Sequence, residues 1–393
     1  MIAVIADDFT GAAEIGGIGL RYGLNVVIET EDIQHHNADL LIIATDTRSL
    51  PANEAAETIK RITEKLLKLK PQFIYKKIDS ALRGNIVREL EAQMEVCGHQ
   101  RAIVIAANPN FNRLIQNGTY TIDGVPLNQT GFAYDPEFPV HSSRVLEVLN
   151  AGTGVQMTNL KATDSFPEKG IIVGDVANMD DLEKWALRLD KCSVFAGASG
   201  FFNVLLSSGM VFESKESPIF HIPFGDKALY VFGSTFPKDM DLIHRLEAND
   251  YYFSNMPEEI YYNPNPDPKY LKKWVNDIVS GIHKHQRVIA LIDYTPSDEP
   301  QIAQRIKKTI GSLVQGVLAE VEINELLVEG GGTTSVVLNC LDVKKLIPVQ
   351  ELETGVIRMK IEGDVNFCLT TKPGSYFWPD SVWGMESEKK TAG

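Results

Sequence analysis

The sequence predicts an α/β protein of two domains, each a mainly parallel or mixed sheet with flanking helices, and an active site in the cleft between them. Three observations lead there. Short apolar runs ending in polar clusters recur along the chain, stripes of helical period separate them, and a charged segment with two prolines at 213–226 divides two such series.

The first series opens with an apolar run at 2–6, which reads as a buried parallel strand, and helical residues follow from about 12 to 22. Residues 25–28 and 40–44 read as further strands. Ala55, Ile59, Ile62, Leu66 and Leu69 then recur at helical spacing until Pro71 ends the helix. A strand at 73–78 leads into a second stripe, Ile86, Leu90, Met94 and Cys97, closed by Gly98. A strand at 102–106 precedes an irregular stretch, 108–165, whose length inside a compact domain points to function. A strand at 171–173, a helix at 182–189 and a strand at 193–196 complete the series. The second series restarts with a strand at 229–232, a helix at 238–246 and a strand at 251–254. Leu271, Val275, Ile278 and Ile282 then mark one face of a helix, followed by a strand at 288–292, a helix at 302–314 and a strand at 325–328. The domains are therefore expected at 1–225 and 226–393.

Composition narrows the function. A formal charge of -14 with no basic patch argues against nucleic acid as a partner. No apolar stretch is long enough to span a bilayer. The opening run is interrupted at once by Asp7 and Asp8 and has no basic flank, so it is not a signal peptide and a cytoplasmic protein is expected. Cys97, Cys192, Cys340 and Cys368 are too widely spaced for a disulfide framework or a zinc site, and no metal-ligating side-chain set is expected.

The chemistry-bearing motifs lie where strands end and helices begin, the position at which open α/β sheets bind ligands. Asp7-Asp8-Phe9-Thr10-Gly11 follows the first strand. Thr10 or Asp8 suits a helix cap, but a cap does not explain two consecutive carboxylates. One of them is placed to accept the proton of an attacking hydroxyl. Gly17 and Gly19 fall inside the helix rather than on the turn before it, which points to close packing and not to a dinucleotide. Lys76-Lys77-Ile78-Asp79-Ser80-Ala81-Leu82-Arg83-Gly84-Asn85 joins another strand end to a helix. In a strand, Lys77 and Asp79 share one face while Lys76 and Ser80 take the other. Arg83 offers a planar fork to a carboxylate or phosphate, or a local ion pair to Asp79. Thr45-Asp46-Thr47-Arg48 ends a third strand and lines the same crevice. In the second half, Gly233-Ser234-Thr235 and Gly330-Gly331-Gly332-Thr333-Thr334 each join a strand to a helix and suit phosphate, although no Walker A loop is present. Lys372-Pro373-Gly374-Ser375 adds a cation and backbone donors.

Taken together, these motifs resemble the four-carbon acid sugar kinase family. The resemblance rests on IADDFTGA, TDTRSLP and YKKIDSALRGN, and continues through GVPLNQTGFAYDP, Gly-Ala-Ser-Gly-Phe at 197–201, the Glu-Gly-Gly-Gly-Thr run and Lys-Pro-Gly-Ser. Asn112-Arg113 stands where the family has Gly-Arg, and Phe377 where its last motif ends in glycine. The resemblance implies transfer of the γ-phosphoryl group of ATP, with Mg²⁺, to a terminal hydroxyl of a tetronate or oxo-tetronate. It assigns the sugar to the N-terminal domain and the nucleotide to the C-terminal one. Asp8, ahead of Asp7 or Asp79, is the expected base. Arg48, Lys76, Lys77, Ser80, Arg83 and Asn85 are expected to face the acid sugar, with Arg83 and one of the two lysines on its carboxylate. Ser234, Gly331, Gly332, Thr333 and Gly374 are expected to face ATP. The α/β build and the family are compatible with a homodimer. Two other readings stay open: a non-catalytic acid-sugar binder, suggested by Phe377, and a nicotinamide-dependent oxidoreductase, against which the missing strand–G-x-G-x-x-G–helix unit counts.

Overall fold

In this computed structural model the described residues are 1–30, 33, 37–135, 137–149, 154–209, 222–232, 240–292, 302–364, 366–374 and 376–384. The chain divides into two compact units, Met1–Pro218 and Ile219–Gly393. Most of the expected linker at 213–226 lies outside the described residues, as does the loop 233–235.

The first unit runs β1 (Ile2–Ala6), α1 (Phe9–Arg21), β2 (Val26–Glu29), β3 (Leu40–Ala44), α2 (Ala52–Lys68), β4 (Phe73–Lys77), α3 (Ile86–Cys97) and β5 (Arg101–Ile105). It continues with β6 (Arg113–Gln116), β7 (Thr119–Ile122), β8 (Val125–Pro126), α4 (Val145–Val148), β9 (Met157–Leu160), β10 (Gly170–Gly174), α5 (Met179–Ala186), β11 (Ser193–Gly197) and α6 (Ser199–Ser207). Its main sheet has the order β2-β3-β1-β4-β11-β5-β10-β9, with every pair parallel. Strands buried on both faces explain the near-continuous apolar runs. Ala3, Ile5, Leu41 and Ile43 pack on Ala56, Ile59, Ile62 and Leu66 of α2 and Ala92 of α3. The opposite face takes α1, where a Cβ on Gly19 would come within 2.7 Å of Leu40 and 2.8 Å of Val26. Only glycine allows that approach, as its place inside the helix implies. Chain leaving β1 thus goes to one face and chain leaving β4 to the other. The crevice between these neighbours is the switch point of the sheet.

The stretch 108–165 is less irregular than its composition suggests. A separate three-stranded antiparallel sheet, β6-β7-β8, occupies its first part and β9 its last. Strands this short carry too little alternation to be read from sequence. Asp175 ties the small sheet down by accepting the N–H groups of Asn117 and Gly118, at 2.8 and 3.0 Å.

The second unit contains β12 (Ala228–Phe232), α7 (Met240–Ala248), β13 (Tyr252–Asn255), α8 (Glu258–Tyr261), α9 (Pro268–His285), β14 (Arg287–Leu291), α10 (Ile302–Glu320), β15 (Glu325–Glu329), α11 (Gly331–Cys340), β16 (Lys345–Glu353), β17 (Val356–Ile361) and β18 (Cys368–Lys372). Its strand order is β13-β14-β12-β15-β18-β17-β16; β17 is antiparallel to both neighbours, so this sheet is mixed. The hairpin β16–β17 was not expected from sequence. Tyr230, Tyr251 and Trp383 anchor the core on one side, and the Tyr230 and Tyr251 hydroxyls donate to the carbonyls of Val382 and Trp383.

Candidate active site

At the switch point of the first unit, three strand ends are stitched together by their own polar groups. Asp8 caps α1: its Oδ1 accepts the Gly11 N–H at 2.9 Å and its Oδ2 the Thr10 hydroxyl at 2.6 Å. The cap is Asp8, and Thr10 braces it. After β3, Thr45 Oγ1 donates to the Ala6 carbonyl, and the Asn85 amide donates to the carbonyls of Thr47, Arg48 and Leu50. Asn85, expected to face the sugar, is instead the clamp that holds the Arg48 loop. After β4, Gly84 has φ +88°, and a Cβ there would lie 2.8 Å from Arg48 Cγ, so the loop passes against Arg48 only because residue 84 is glycine.

Arg48 is the hub. Its Nε lies 2.8 Å from Asp7, its Nη2 3.0 Å from Asp8 and its Nη1 3.5 Å from Asp79. Arg83 grips Asp79 with Nε and Nη2, both at 2.8 Å, and reaches Asp135 at 2.7 Å with Nη1. The local Asp79–Arg83 pair is therefore real, and it is one edge of a network. Burial pushes the Asp8 and Asp79 carboxyls up. Arg48 and Lys77 more than reverse this for Asp8, and Arg83 and Arg48 do so for Asp79, which ends far below the ordinary carboxylate range. Both are ionised at neutral pH.

The two lysines part company. Lys77 points to the α1 side, where its Nζ is 3.8 Å from Glu14 and donates to the Ile78 carbonyl at 3.0 Å. Lys76 lies on the opposite face, fully buried and 2.6 Å from Glu89 of α3. It does not join the cluster; its face was legible from strand alternation, but the element covering that face was not. Ser80 does join, through contacts that sequence reasoning missed. Arg113 of β6 donates to its hydroxyl, and Tyr120 of β7 donates to its carbonyl at 2.6 Å. Asp135 and Arg113 had no local signal, since each acts on residues far away in sequence.

In the second unit, β15 and β18 end side by side, with Glu329 opposite Lys372. Gly331, Gly332 and Thr333 form the first turn of α11, and Gly374 follows β18. Lys372 is buried, 2.8 Å from Glu329 and 5.3 Å from the Trp378 ring; burial lowers its pKa against the opposing pull of Glu329. Lys307 of α10 reaches the same turn, with its Nζ 2.8 Å from where a Cβ on Gly332 would stand. A helix N-terminus with two lysines beside it is an anion site in form. Ser234 lies outside the described residues.

These features define an α/β protein with a polar site at the switch point of a parallel sheet. The family model described as a sugar-binding N-terminal domain matches residues 2–205. The chain belongs to that family, the four-carbon acid sugar kinase family that its motifs resemble. It is 24% identical over 362 residues to a D-threonate kinase of Salmonella typhimurium, covering 86% of each chain. It is 26% identical over 381 residues to a D-erythronate kinase of Heliobacterium modesticaldum, covering 86% of this chain and 85% of that one. A 3-oxo-tetronate kinase of Brucella melitensis is 31% identical over 176 residues, or 41% of this chain and 39% of its own. The fold is shared with a Salmonella typhimurium protein, at TM-score 0.75, 19% identity and 97% coverage of both chains. A Haemophilus influenzae protein gives TM-score 0.69, 20% identity, and coverage of 96% of this chain and 98% of that one. No described helix is long and apolar enough to cross a membrane.

Proposed function

We propose that this chain is an ATP-dependent kinase that phosphorylates a terminal hydroxyl of a four-carbon acid sugar. The observation that carries the reading is the Asp7–Asp8–Asp79 cluster held by Arg48 at the switch point of the unit matched as sugar-binding. The kinase names of relatives that align over most of the chain support it.

Phosphoryl transfer depends on positioning and charge neutralisation more than on a strong base. Asp8 is the least enclosed of the three aspartates, 8% exposed against 2% for Asp7 and 6% for Asp79, and is the one proposed to take the hydroxyl proton. Asp7 and Asp79 hold Arg48 in place, Lys77 and Ser80 line the sugar site, and Arg83 braces Asp79. The turn Gly331-Gly332-Thr333 with Gly374, Lys307 and Lys372 suits the ATP phosphates. Mg²⁺ would ride on the ATP phosphates, whose charge it neutralises. A coupled ADP-release assay with Mg-ATP and a panel of erythronates, threonates and oxo-tetronates tests the reading. Turnover with one of them is expected, and ADP release that no acid stimulates would overturn it.

A further inference from the structure

Resting on the kinase reading above, we propose that the carboxylate of the substrate and the hydroxyl beside it are recognised by Arg113 and Asn108, and not by Arg83. Arg48 and Arg83 are already engaged by the protein's own carboxylates. Each of their three nitrogens already faces a carboxylate of Asp7, Asp8, Asp79 or Asp135. Four carboxylates share two guanidiniums there, and Lys77, which also acts on Asp8, is shared with Glu14, so that end of the site already holds more negative than positive charge.

Arg113 differs. It is half-buried, its Nη1 donates to Ser80 Oγ directly after Asp79, and among the described residues it forms no ion pair. The Asn108 backbone holds it from both sides, accepting its N–H at 3.1 Å and donating to its carbonyl at 2.8 Å. Asn108 is itself only 6% exposed, and its Oδ1 has no hydrogen-bond partner among the described residues. Its amide lies against the first turn of α6, 2.7 Å from where a Cβ on Gly200 would stand. An orphaned buried amide oxygen is costly in the free protein, and a ligand hydroxyl that reached it would offset that cost.

Register ties the two ends together. Ala6, Lys77, Gly197 and Ile105 align across β1, β4, β11 and β5, so Asp8, Ser80, Ser199 and Asn108 all follow one row of strand ends. An acid sugar lying along that row puts its 2-hydroxy-carboxylate end on Arg113 and Asn108 and its far hydroxyl at Asp8. The specificity is then for a 2-hydroxy acid.

The test is titration calorimetry without ATP, and turnover with Mg-ATP, on the full chain. The ligands are the preferred four-carbon acid, the tetritol of the same configuration, and the acid lacking its 2-hydroxyl. Arg113→Gln is expected to weaken the acid roughly 10- to 100-fold, the worth of a charge-assisted hydrogen-bonded contact, while leaving the tetritol unchanged. Arg113→Lys should restore part of that loss. Asn108→Ala should narrow only the gap between the acid and its 2-deoxy form. Equal weakening of acid and tetritol in Arg113→Gln, or no weakening of either, overturns the inference. If Arg113→Gln does not fold, Arg113→Lys decides: a loss confined to the acid supports the inference and an equal loss on both ligands overturns it. Wild-type protein that neither binds nor phosphorylates any acid overturns the kinase reading and this inference with it. Wild-type turnover with acid preference intact in Arg113→Gln overturns the inference alone.

Discussion

Replacing Arg48 with methionine removes a group that touches three buried carboxylates. The Arg48 side chain is 14% exposed, and those of Asp7, Asp8 and Asp79 are 3%, 11% and 7% exposed, so solvent screens little of the loss. Removing one partner of a buried ion pair costs about 3–5 kcal/mol. For a unit of this size each kcal/mol moves the melting temperature by about 2–4 °C, so a drop of roughly 6–20 °C is expected. The pH dependence has a definite sign. In the wild type, Asp8 and Asp79 have folded pKa values below their unfolded ones. Their contribution is therefore full above the unfolded carboxylate value and lost as pH falls through the folded one. In Arg48→Met, protonation relieves the buried carboxylates, so the gap between variant and wild type should shrink as pH falls from 8 toward the carboxylate range near about 4. Differential scanning calorimetry at several pH values measures both. A drop under about 3 °C at neutral pH, less than half the smallest shift derived above, would refute the hub role. So would a gap of constant size across the pH range.

Asp8→Asn should lower kcat by about 10²- to 10⁴-fold if Asp8 takes the proton, and near-normal turnover in the ADP assay would remove it from that role. Because the Asp8 pKa is lowered, the acid limb of the wild-type kcat/KM profile that belongs to it should lie below the ordinary value of about 3.9, and a limb at 5–6 would contradict that assignment. Gly84→Ala puts a Cβ 2.8 Å from Arg48 at a φ of +88°, so a loss of about 1–3 kcal/mol in denaturant unfolding is expected together with a raised KM for the acid. Lys372→Met should weaken ATP binding and remove the alkaline limb of the profile; in the wild type that limb should begin below the usual lysine value of about 10.4, since burial lowers the Lys372 pKa.

The alternation of strand and helix, and the polar clusters at strand ends, were legible because both depend on local pattern. A buried parallel strand must be apolar throughout, and its carboxyl end is where polar groups first become affordable. Gly19 was legible for the same reason, as a glycine inside a helix with nothing to bind. The same pattern placed Lys76 and Lys77 on opposite faces, but only packing decided that α3 would enclose Lys76 with Glu89 while Lys77 met Glu14. Asn85 looked like a ligand contact and became a backbone clamp, because the carbonyls it satisfies belong to a loop 35 to 38 positions away. Arg113 and Asp135 are separated from Ser80 and Arg83 by 33 and 52 positions. Which charges pair with one another at the site depends on those long-range contacts. By itself the sequence determined a two-domain α/β chain with polar clusters at its strand ends; the partner of each charged side chain there was decided only by tertiary structure, because ion pairing depends on separation in space and not along the chain.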